Sequence, residues 1–297
     1  GRAELMERAI LAEMSLGNFG KAALLAERMA EGGHESQIAQ MAALTTAVDS
    51  ETFANVIQSI DDKRGIGPLA DGLVKAWAQL GAGDMSAALV EFDNVAKMPG
   101  LGPFASYHKA LALASVGDFE SAAAIFDEEE ANGMASTRRG VMARAEVMSQ
   151  LGRSEAAVAM LDENFGADLD PALQQMRDAL ATGEKLPFTH VRTPKEGIAE
   201  VFYTLAGALS NEGSDELTLL YVRMAEYLRP DPAGRLKGTV THVERLGGDT
   251  NLLVRAPDGQ TFTVRLFGQD LTEVGEDVAF DYDDARTFRF DAEGRRL

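Results

Sequence analysis

A short phrase of glycine, alanine and aromatic residues recurs along the first two thirds of this chain at a nearly constant interval. Its best copies begin at Gly83-Asp84 and Gly117-Asp118, 34 positions apart, and each carries an alanine and, four residues later, a phenylalanine. A period near 34 residues is typical of stacked helix-turn-helix units. Because one such unit is too small to bury its apolar face alone, it must stack against its neighbours. The period therefore predicts a helical solenoid.

Further copies extend the pattern, with one interruption. Gly17 and Gly152 open two more units, and a poorer unit with Phe53 follows Asp49-Ser50, which we expect to cap a helix N-terminus. Residues 164–196 break the period: a helix begins near Pro171, ends at Gly183, and is followed by a proline-containing linker. A sixth unit then resumes after residue 196. About six helix pairs are expected.

The helix preceding each turn is predicted from apolar spacing at i, i+3, i+4 and i+7. Two such stripes are clear, Leu73, Ala76, Trp77, Leu80 and Tyr107, Ala110, Leu111, Ala114. Alternating small and large residues allow paired helices to approach closely. We therefore expect Trp77 and Tyr107 to serve packing rather than ligand stacking.

These units resemble the tetratricopeptide repeat (TPR) of alphaproteobacterial type. The sixth unit matches it most completely, with Phe202, Leu205, Ala206, Ala225 and a closing Pro230. The other units depart from it, since most lack the closing proline and the first-helix register is shifted by one residue. The resemblance implies a mainly α fold, a right-handed α-solenoid over residues 1–231, and an exported, periplasmic protein.

The periodicity changes to two after residue 234. Phe262, Val264 and Leu266 alternate with polar residues, and the run 252–255 lies across the turn-forming Pro257-Asp258-Gly259, which predicts a β-hairpin. Residues 238–243 and 278–282 are predicted as the flanking strands. Five short strands are expected to form a small all-β barrel over residues 232–297.

This segment resembles the TOBE domain, an oligonucleotide-binding-like (OB-like) barrel appended to the ATPase subunits of ABC importers. The residues that carry the resemblance are Gly238, Val240, Leu246-Gly247, Val254, Asp258-Gly259, Val264-Arg265, Val274-Gly275-Glu276 and the ending 290–297. The resemblance implies regulation of transport or recognition of cargo, oxyanion binding in related barrels, and a cytoplasmic protein. No phosphate-binding loop precedes the segment, so we expect no ATPase. A natural and an engineered joining of the two parts both stay open.

Composition restricts the partners. The chain carries 28 Lys and Arg against 47 Asp and Glu, a formal net charge of −19, which disfavours nucleic acid and anionic membranes. Residues 233–297 hold 9 basic and 12 acidic groups, so residues 1–232 hold 19 and 35. No apolar run is long enough for membrane insertion. The chain has no initiator Met, and we allow that an N-terminal signal was removed.

No catalytic or metal-binding motif is evident. The chain has no cysteine, and its four histidines, at 34, 108, 190 and 242, have no partner at metal-ligand spacing. The carboxylate runs 128–130 and 281–284 are interpreted as solvated loops. We therefore expect no enzyme, no cofactor and no metal.

Four residues are candidates for binding. Lys75 and Lys109 are 34 positions apart, so they occupy equivalent positions in adjacent units. The TPR resemblance implies that they and His108 could clamp a peptide carboxylate, and Tyr203 completes the set. A solvated face that binds nothing remains the alternative.

The sequence thus predicts a non-enzymatic scaffold that binds a protein or peptide along the concave face of the solenoid. The barrel would dock a second protein, sense a ligand or support a homodimer. The alternative is an ABC-transport accessory or a small-ligand module, in which the barrel binds a sugar or a small anion.

Overall fold

A computed structural model describes residues 2–131, 137–166, 169–210, 215–229, 236–246, 249–256, 259–267 and 272–280. The chain forms two compact units, Gly1–Arg229 and Pro230–Leu297. The predicted boundary at 231/232 falls outside the described residues, as do the closing Pro230, Gly247, Pro257-Asp258 and the ending 281–297.

The first ten helices form five antiparallel pairs, in which each helix packs on the next one along the chain. The pairs confirm the predicted helix-turn-helix units. Their bounds are α1 Arg2–Ser15 with α2 Phe19–Glu31, α3 Gln37–Asp49 with α4 Phe53–Asp61, α5 Pro68–Gly81 with α6 Met85–Ala96, α7 Gly102–Ser115 with α8 Phe119–Ala131, and α9 Arg138–Gln150 with α10 Ser154–Phe165.

The Gly-Asp phrase forms the turn inside a pair. Gly83 takes a left-handed φ of 87°, and its N–H donates to the carbonyl of Leu80 at the end of α5. Asp84 then caps α6, because its carboxylate accepts from the N–H of Ala87 at 2.9 Å. Glycine adopts a left-handed φ without steric cost, so it ends one helix while aspartate begins the next.

The second pair uses a different turn, which corrects one sequence expectation. Asp49 is the last residue of α3 and Ser50 follows it as the C-cap, so neither caps α4; Thr52 occupies the N-cap position. Glu51 adopts the left-handed φ of 53° that glycine supplies elsewhere. The second unit matches the repeat phrase poorly because its turn has Glu51 where the other units have glycine.

The interruption at 164–196 contains a short helix and an extended segment. Helix α11, Pro171–Ala181, is capped by Asp170, whose carboxylate accepts from the N–H groups of Ala172 and Leu173. The chain then runs along α9, where the buried carboxylate of Glu146 accepts from the backbone N–H groups of Thr189 and His190 at 2.8 and 3.0 Å. The predicted start at Pro171 is confirmed, and the helix ends at Ala181, two residues before the predicted Gly183.

The sixth helix pair folds back instead of extending the stack. It consists of α12, Pro194–Ser210, and α13, Asp215–Leu228. Helix α12 packs on α3, α5 and α7, and α13 packs on α1 and α3. These are the first helices of the pairs, so the last pair covers the inner face that the sequence analysis expected to be an open groove.

Burial patterns confirm this covering. The second helix α6 buries only Ala88, Phe92 and Val95, a single stripe. The first helix α5 buries a wider face, including the consecutive Ala76, Trp77 and Ala78, and its other residues from 69 to 81 are half-buried. A helix with so wide a buried face has neighbours on both sides. For α5 these neighbours are the paired helices on one side and α12 on the other.

The approach of α12 to α5 depends on Gly197. A Cβ atom at this position would overlap the indole of Trp77, which is fully buried. Ile198, Phe202 and Leu205 on the same helix are also buried, and the Phe202 ring packs on Tyr221 of α13. Within the described residues no helix is both long and apolar enough to span a membrane.

Gly197→Ala should destabilise the helical unit by about 1–3 kcal/mol, because the added methyl group overpacks the contact with Trp77. Gly207→Ala on the same helix is the control. Its Cβ meets no atom within 4 Å, so the better helix propensity of alanine should stabilise the unit by up to about 1 kcal/mol. Denaturant unfolding followed by the fluorescence of Trp77, the one tryptophan of the chain, measures both. Equal shifts in the two variants would contradict the close contact.

The second unit is a small curled antiparallel sheet, as predicted. Its strands are β1 Leu236–Arg245, β2 Asp249–Arg255, β3 Thr261–Phe267 and β4 Asp277–Phe280, in the order β3-β2-β1-β4. The register between Val240 and His242 shifts, and such a bulge bends a strand. Val240, Leu252 and Val254 form the core of the concave half-barrel. The predicted hairpin is confirmed, and the described residues contain four of the five expected strands.

Candidate functional site

A cavity of about 520 Å³ opens between α7, α8, α9 and α12. We call it the α12 pocket. Its walls are mostly apolar, and its volume lies in the range of pockets that hold small ligands or large side chains. The residues that line it are Pro103, Phe104, Ser106 and Tyr107 on α7, Ile125, Phe126 and Glu129 on α8, Thr137 to Gly140 at the start of α9, and Glu200, Tyr203, Thr204, Gly207 and Ala208 on α12.

The floor of the α12 pocket holds a buried ion pair between Glu200 and Arg139. The guanidinium of Arg139 donates to both oxygens of Glu200, with Nε at 2.9 Å from Oε1 and 3.1 Å from Oε2. The Glu200 side chain is 2 % exposed and that of Arg139 is 30 % exposed. Burial opposes ionisation of Glu200, but His190 and Arg139 outweigh it and hold its pKa well below the usual range. Glu200 is therefore a carboxylate at neutral pH.

Tyr107 and His190 complete the surroundings of this carboxylate. The Tyr107 hydroxyl donates to Oε1 of Glu200 at 2.8 Å. Burial, with the negative charge of Glu200, raises the Tyr107 pKa well above its ordinary value, so the phenol keeps its proton. His190 Nε2 lies 3.1 Å from the same hydroxyl oxygen. Because that hydroxyl gives its proton to Glu200, Nε2 of His190 acts as the donor to it.

A second polar chain links α5, α7 and α12 beneath the pocket. The indole N–H of Trp77 donates to Nδ1 of His108 at 3.3 Å, and Nε2 of His108 lies 3.2 Å from the hydroxyl of Thr204. His108 is fully buried, and burial lowers its pKa to about 4. The ring is therefore neutral at pH 7, accepts at Nδ1 and donates from Nε2.

The structure does not bring the predicted clamp residues together as free groups. Lys75 Nζ lies 2.8 Å from Asp61 and 3.0 Å from Glu91, and Lys109 Nζ lies 2.6 Å from Asp93. The hydrogen bond with Asp61 contributes most to a raised pKa of Lys75. Both ammonium groups thus bind carboxylates of second helices.

The other two candidates, His108 and Tyr203, differ in exposure: His108 is buried, and Tyr203 is exposed and lines the pocket. His108 is buried beneath α12 and holds that helix in place. Tyr203 is 53 % exposed, lines the α12 pocket, and stacks under the guanidinium of Arg139, 5.0 Å from its ring centroid. Of the four predicted binding residues, Tyr203 is the one that faces the cavity.

Sequence reasoning missed the pair Glu200 and Arg139. A signal for Glu200 was present, since a glutamate interrupts the apolar run Ile198, Ala199, Val201 and Phe202 of α12. Charged residues are almost never buried without a partner, so this position requires a cation nearby. The sequence could not name Arg139 as that cation, because α12 reaches α9 only by folding back over the stack.

Metal binding has no support within the described residues, where no group of three or more His, Cys, Asp or Glu side chains is placed to hold an ion. The run 128–130 is divided by the structure: Glu128 is exposed, Glu129 is half-buried and lines the pocket, and Glu130 pairs with Arg144 at 2.6 Å. The run 281–284 lies outside the described residues.

The TOBE domain family matches residues 222–290. The match covers less than a quarter of the chain and includes the end of α13 together with the four described strands. It indicates a binding or regulatory role for the C-terminal part. No tetratricopeptide family match accompanies it. None of the curated proteins matches the chain.

The neutral buried His108 should make stability depend on pH. In the unfolded chain a histidine takes up its proton below about pH 6.5, whereas folded His108 does so only near pH 4, so unfolding binds a proton in this window. Stability is fully present above about pH 6.5 and falls by about 3 kcal/mol towards pH 4. His108→Gln keeps a donor and an acceptor but cannot titrate.

Denaturant unfolding at several pH values between 4 and 7, followed by Trp77 fluorescence, gives the slope for the parent chain and for His108→Gln. The variant should show the smaller slope. Identical slopes would mean that His108 does not titrate differently in the folded and unfolded states.

Glu200→Gln should destabilise the helical unit by about 2–3 kcal/mol, since it leaves the guanidinium of Arg139 without its counter-ion at a partly buried position. Glu226→Gln is the matched control. Glu226 pairs with Arg223 at 2.7 Å on the surface, where such pairs contribute less than about 1 kcal/mol. Calorimetric or denaturant unfolding of both variants tests the difference. Similar losses of unfolding free energy would show that the buried pair of Glu200 stabilises the fold no more than a surface pair does.

Proposed function

We propose that this protein is a non-enzymatic binding module whose TPR-like helical unit receives a partner protein segment at the α12 pocket. The C-terminal TOBE-like unit supplies a second binding or regulatory element. The observation that carries the proposal is the pocket: a cavity of about 520 Å³ with apolar walls that opens between α12 and the helices α7, α8 and α9.

The position of α12 limits the surface of the helical unit to which a partner can bind. Helices α12 and α13 already cover the inner face of α1, α3, α5 and α7, so an extended peptide cannot follow the whole concave face. The cavity beside the C-terminal half of α12 stays open, and it offers Phe104, Ile125, Phe126 and Tyr203 to an incoming side chain. Interfaces of this kind depend on one or two buried anchors.

The polar groups in the pocket support a binding role without catalysis. Arg139 and Tyr107 both donate to the Glu200 carboxylate, and the Thr204 hydroxyl lies within hydrogen-bond distance of His108. A general base needs an accessible lone pair and a pKa near the working pH. The Glu200 carboxylate is buried, and its pKa is depressed.

Gly207→Leu should abolish binding of a partner segment without harming the fold. Gly207 lines the pocket, and its Cβ direction is open, so a leucine would project into the cavity while improving helix propensity. Gly20→Leu is the matched control, on an exposed and equally open position of α2.

A random peptide library, displayed on phage and selected against the immobilised full chain, supplies ligands for the measurement. Selected peptides should bind the parent and Gly20→Leu equally and lose at least tenfold in affinity for Gly207→Leu, since that leucine occupies the volume of an anchor worth more than about 1.4 kcal/mol. Peptides that bind Gly207→Leu as well as the parent would refute a role for the pocket.

A second candidate is a small-ligand or ABC-transport accessory role for the C-terminal unit, favoured by the TOBE domain match at 222–290. Calorimetry of the full chain with sulfate, molybdate, maltose and spermidine tests it. Saturable binding that is the same in the parent and in Gly207→Leu would support this candidate. The absence of heat with all four probes would count against it.

A further inference from the structure

Most polar side chains of the α12 pocket already have partners. Arg139 binds Glu200, and Arg138 pairs with Asp170 at the start of α11. The hydroxyl of Thr137 accepts from the N–H of Gly140 at 3.1 Å. These groups are not free to select a ligand.

Glu129 is different from its acidic neighbours. Asp127 and Glu130, on the same helix, both bind the guanidinium of Arg144, at 2.8 and 2.6 Å. Glu129 is half-buried in the pocket wall, and its carboxylate has no hydrogen bond or ion pair with any part of the chain that the structure describes. The single cation nearest the floor of the pocket, Arg139, is neutralised by Glu200. With Arg139 paired to Glu200 and Arg138 paired to Asp170, Glu129 is the charged lining residue whose side chain has no partner among the described residues.

Two hydroxyl groups add further hydrogen-bonding capacity at the same wall. Ser106 on α7 and the phenol of Tyr203 on α12 both line the cavity, and neither makes a hydrogen bond within the described residues. Together with Glu129 they surround apolar and aromatic surface from Phe104, Ile125 and Phe126. An apolar wall with one free carboxylate is complementary to an apolar group that has a cation beside it.

We propose that the α12 pocket binds a protein segment in which a large apolar side chain inserts into the cavity and an adjacent Lys or Arg pairs with Glu129. The inference rests on the proposed function and names the chemistry of its partner. The charge of the helical part, 19 basic against 35 acidic residues in 1–232, favours a basic segment over an acidic one. A cavity of about 520 Å³ accommodates one large side chain together with the neighbouring backbone.

The test uses the peptides selected on phage against the full chain, resynthesised with blocked termini so that their own ends carry no charge. Enriched sequences should place Lys or Arg within two positions of Trp, Phe or Leu. Glu129→Gln should weaken the best peptide about fivefold, the usual effect of losing one partly exposed ion pair. Glu128→Gln, at an exposed position one residue away, should leave the affinity unchanged.

Salt provides an independent readout. Raising the ionic strength should weaken binding to the parent chain more than binding to Glu129→Gln, because screening acts on the pair that the variant lacks. Trp77 fluorescence during denaturant unfolding shows that both glutamate variants remain folded.

The outcomes separate the two proposals. Peptides that are neutral or acidic, or that bind Glu129→Gln as well as the parent, would overturn the basic anchor; if Gly207→Leu still abolishes their binding, the pocket remains the binding site. Failure to enrich any peptide that depends on the pocket would overturn both. If phenethylamine binds in a way that depends on Glu129 while no peptide binds, the ligand of the pocket would be a small aromatic amine and not a protein segment.

Discussion

The contact between α12 and α5 is the interaction on which the rest of the helical unit depends. Gly197 lets the backbone of α12 lie against the indole of Trp77, and Ile198 and Phe202 on the same helix are buried as well. Without this contact the inner faces of the first helices would expose apolar residues on α3, α5 and α7. The last helix pair therefore acts as the lining of the stack, and the stack forms a closed core rather than an open trough.

The same packing explains why polar residues are buried here. Glu200 enters the interior because α12 enters it, and it is stabilised there by Arg139 from α9 and Tyr107 from α7. His108 and Thr204 join α7 to α12 in the same way. Each of these bonds connects elements that are far apart in sequence, so together they fix the position of α12 along the groove. Buried polar networks of this kind specify one arrangement when all their members are satisfied.

The turns and strands could be predicted from the sequence, but the fold-back of α12 over the first helices could not. Gly83-Asp84 and Gly117-Asp118 predicted their turns because a left-handed residue followed by a capping carboxylate has few other uses. The alternation at Phe262, Val264 and Leu266 predicted a strand for an equally local reason. The fold-back of α12 leaves no such mark, since an apolar helix that continues a stack has the same composition as one that covers it.

The candidate site was predictable only in part for the same reason. The sequence predicts Tyr203 as a binding residue, and Tyr203 does line the pocket. Lys75 and Lys109, by contrast, bind carboxylates that the repeat pattern does not place beside them. Glu129 has no ion pair because Arg144 binds its neighbours Asp127 and Glu130 instead. This choice of partners depends on the positions of the side chains in the folded protein. A run of three glutamates in the sequence carries no sign of which one is free.

Arg229, the last residue of the helical unit, is anchored at its side chain. Its guanidinium donates to the carbonyl of His190 at 2.5 Å, in the segment that Glu146 holds against α9. Only residues 230–235 separate this fixed point from the first strand. Because the two units are parts of one chain, a partner bound to one unit would meet the other in an intramolecular step. A partner that engages both units would gain avidity even if neither contact were strong by itself.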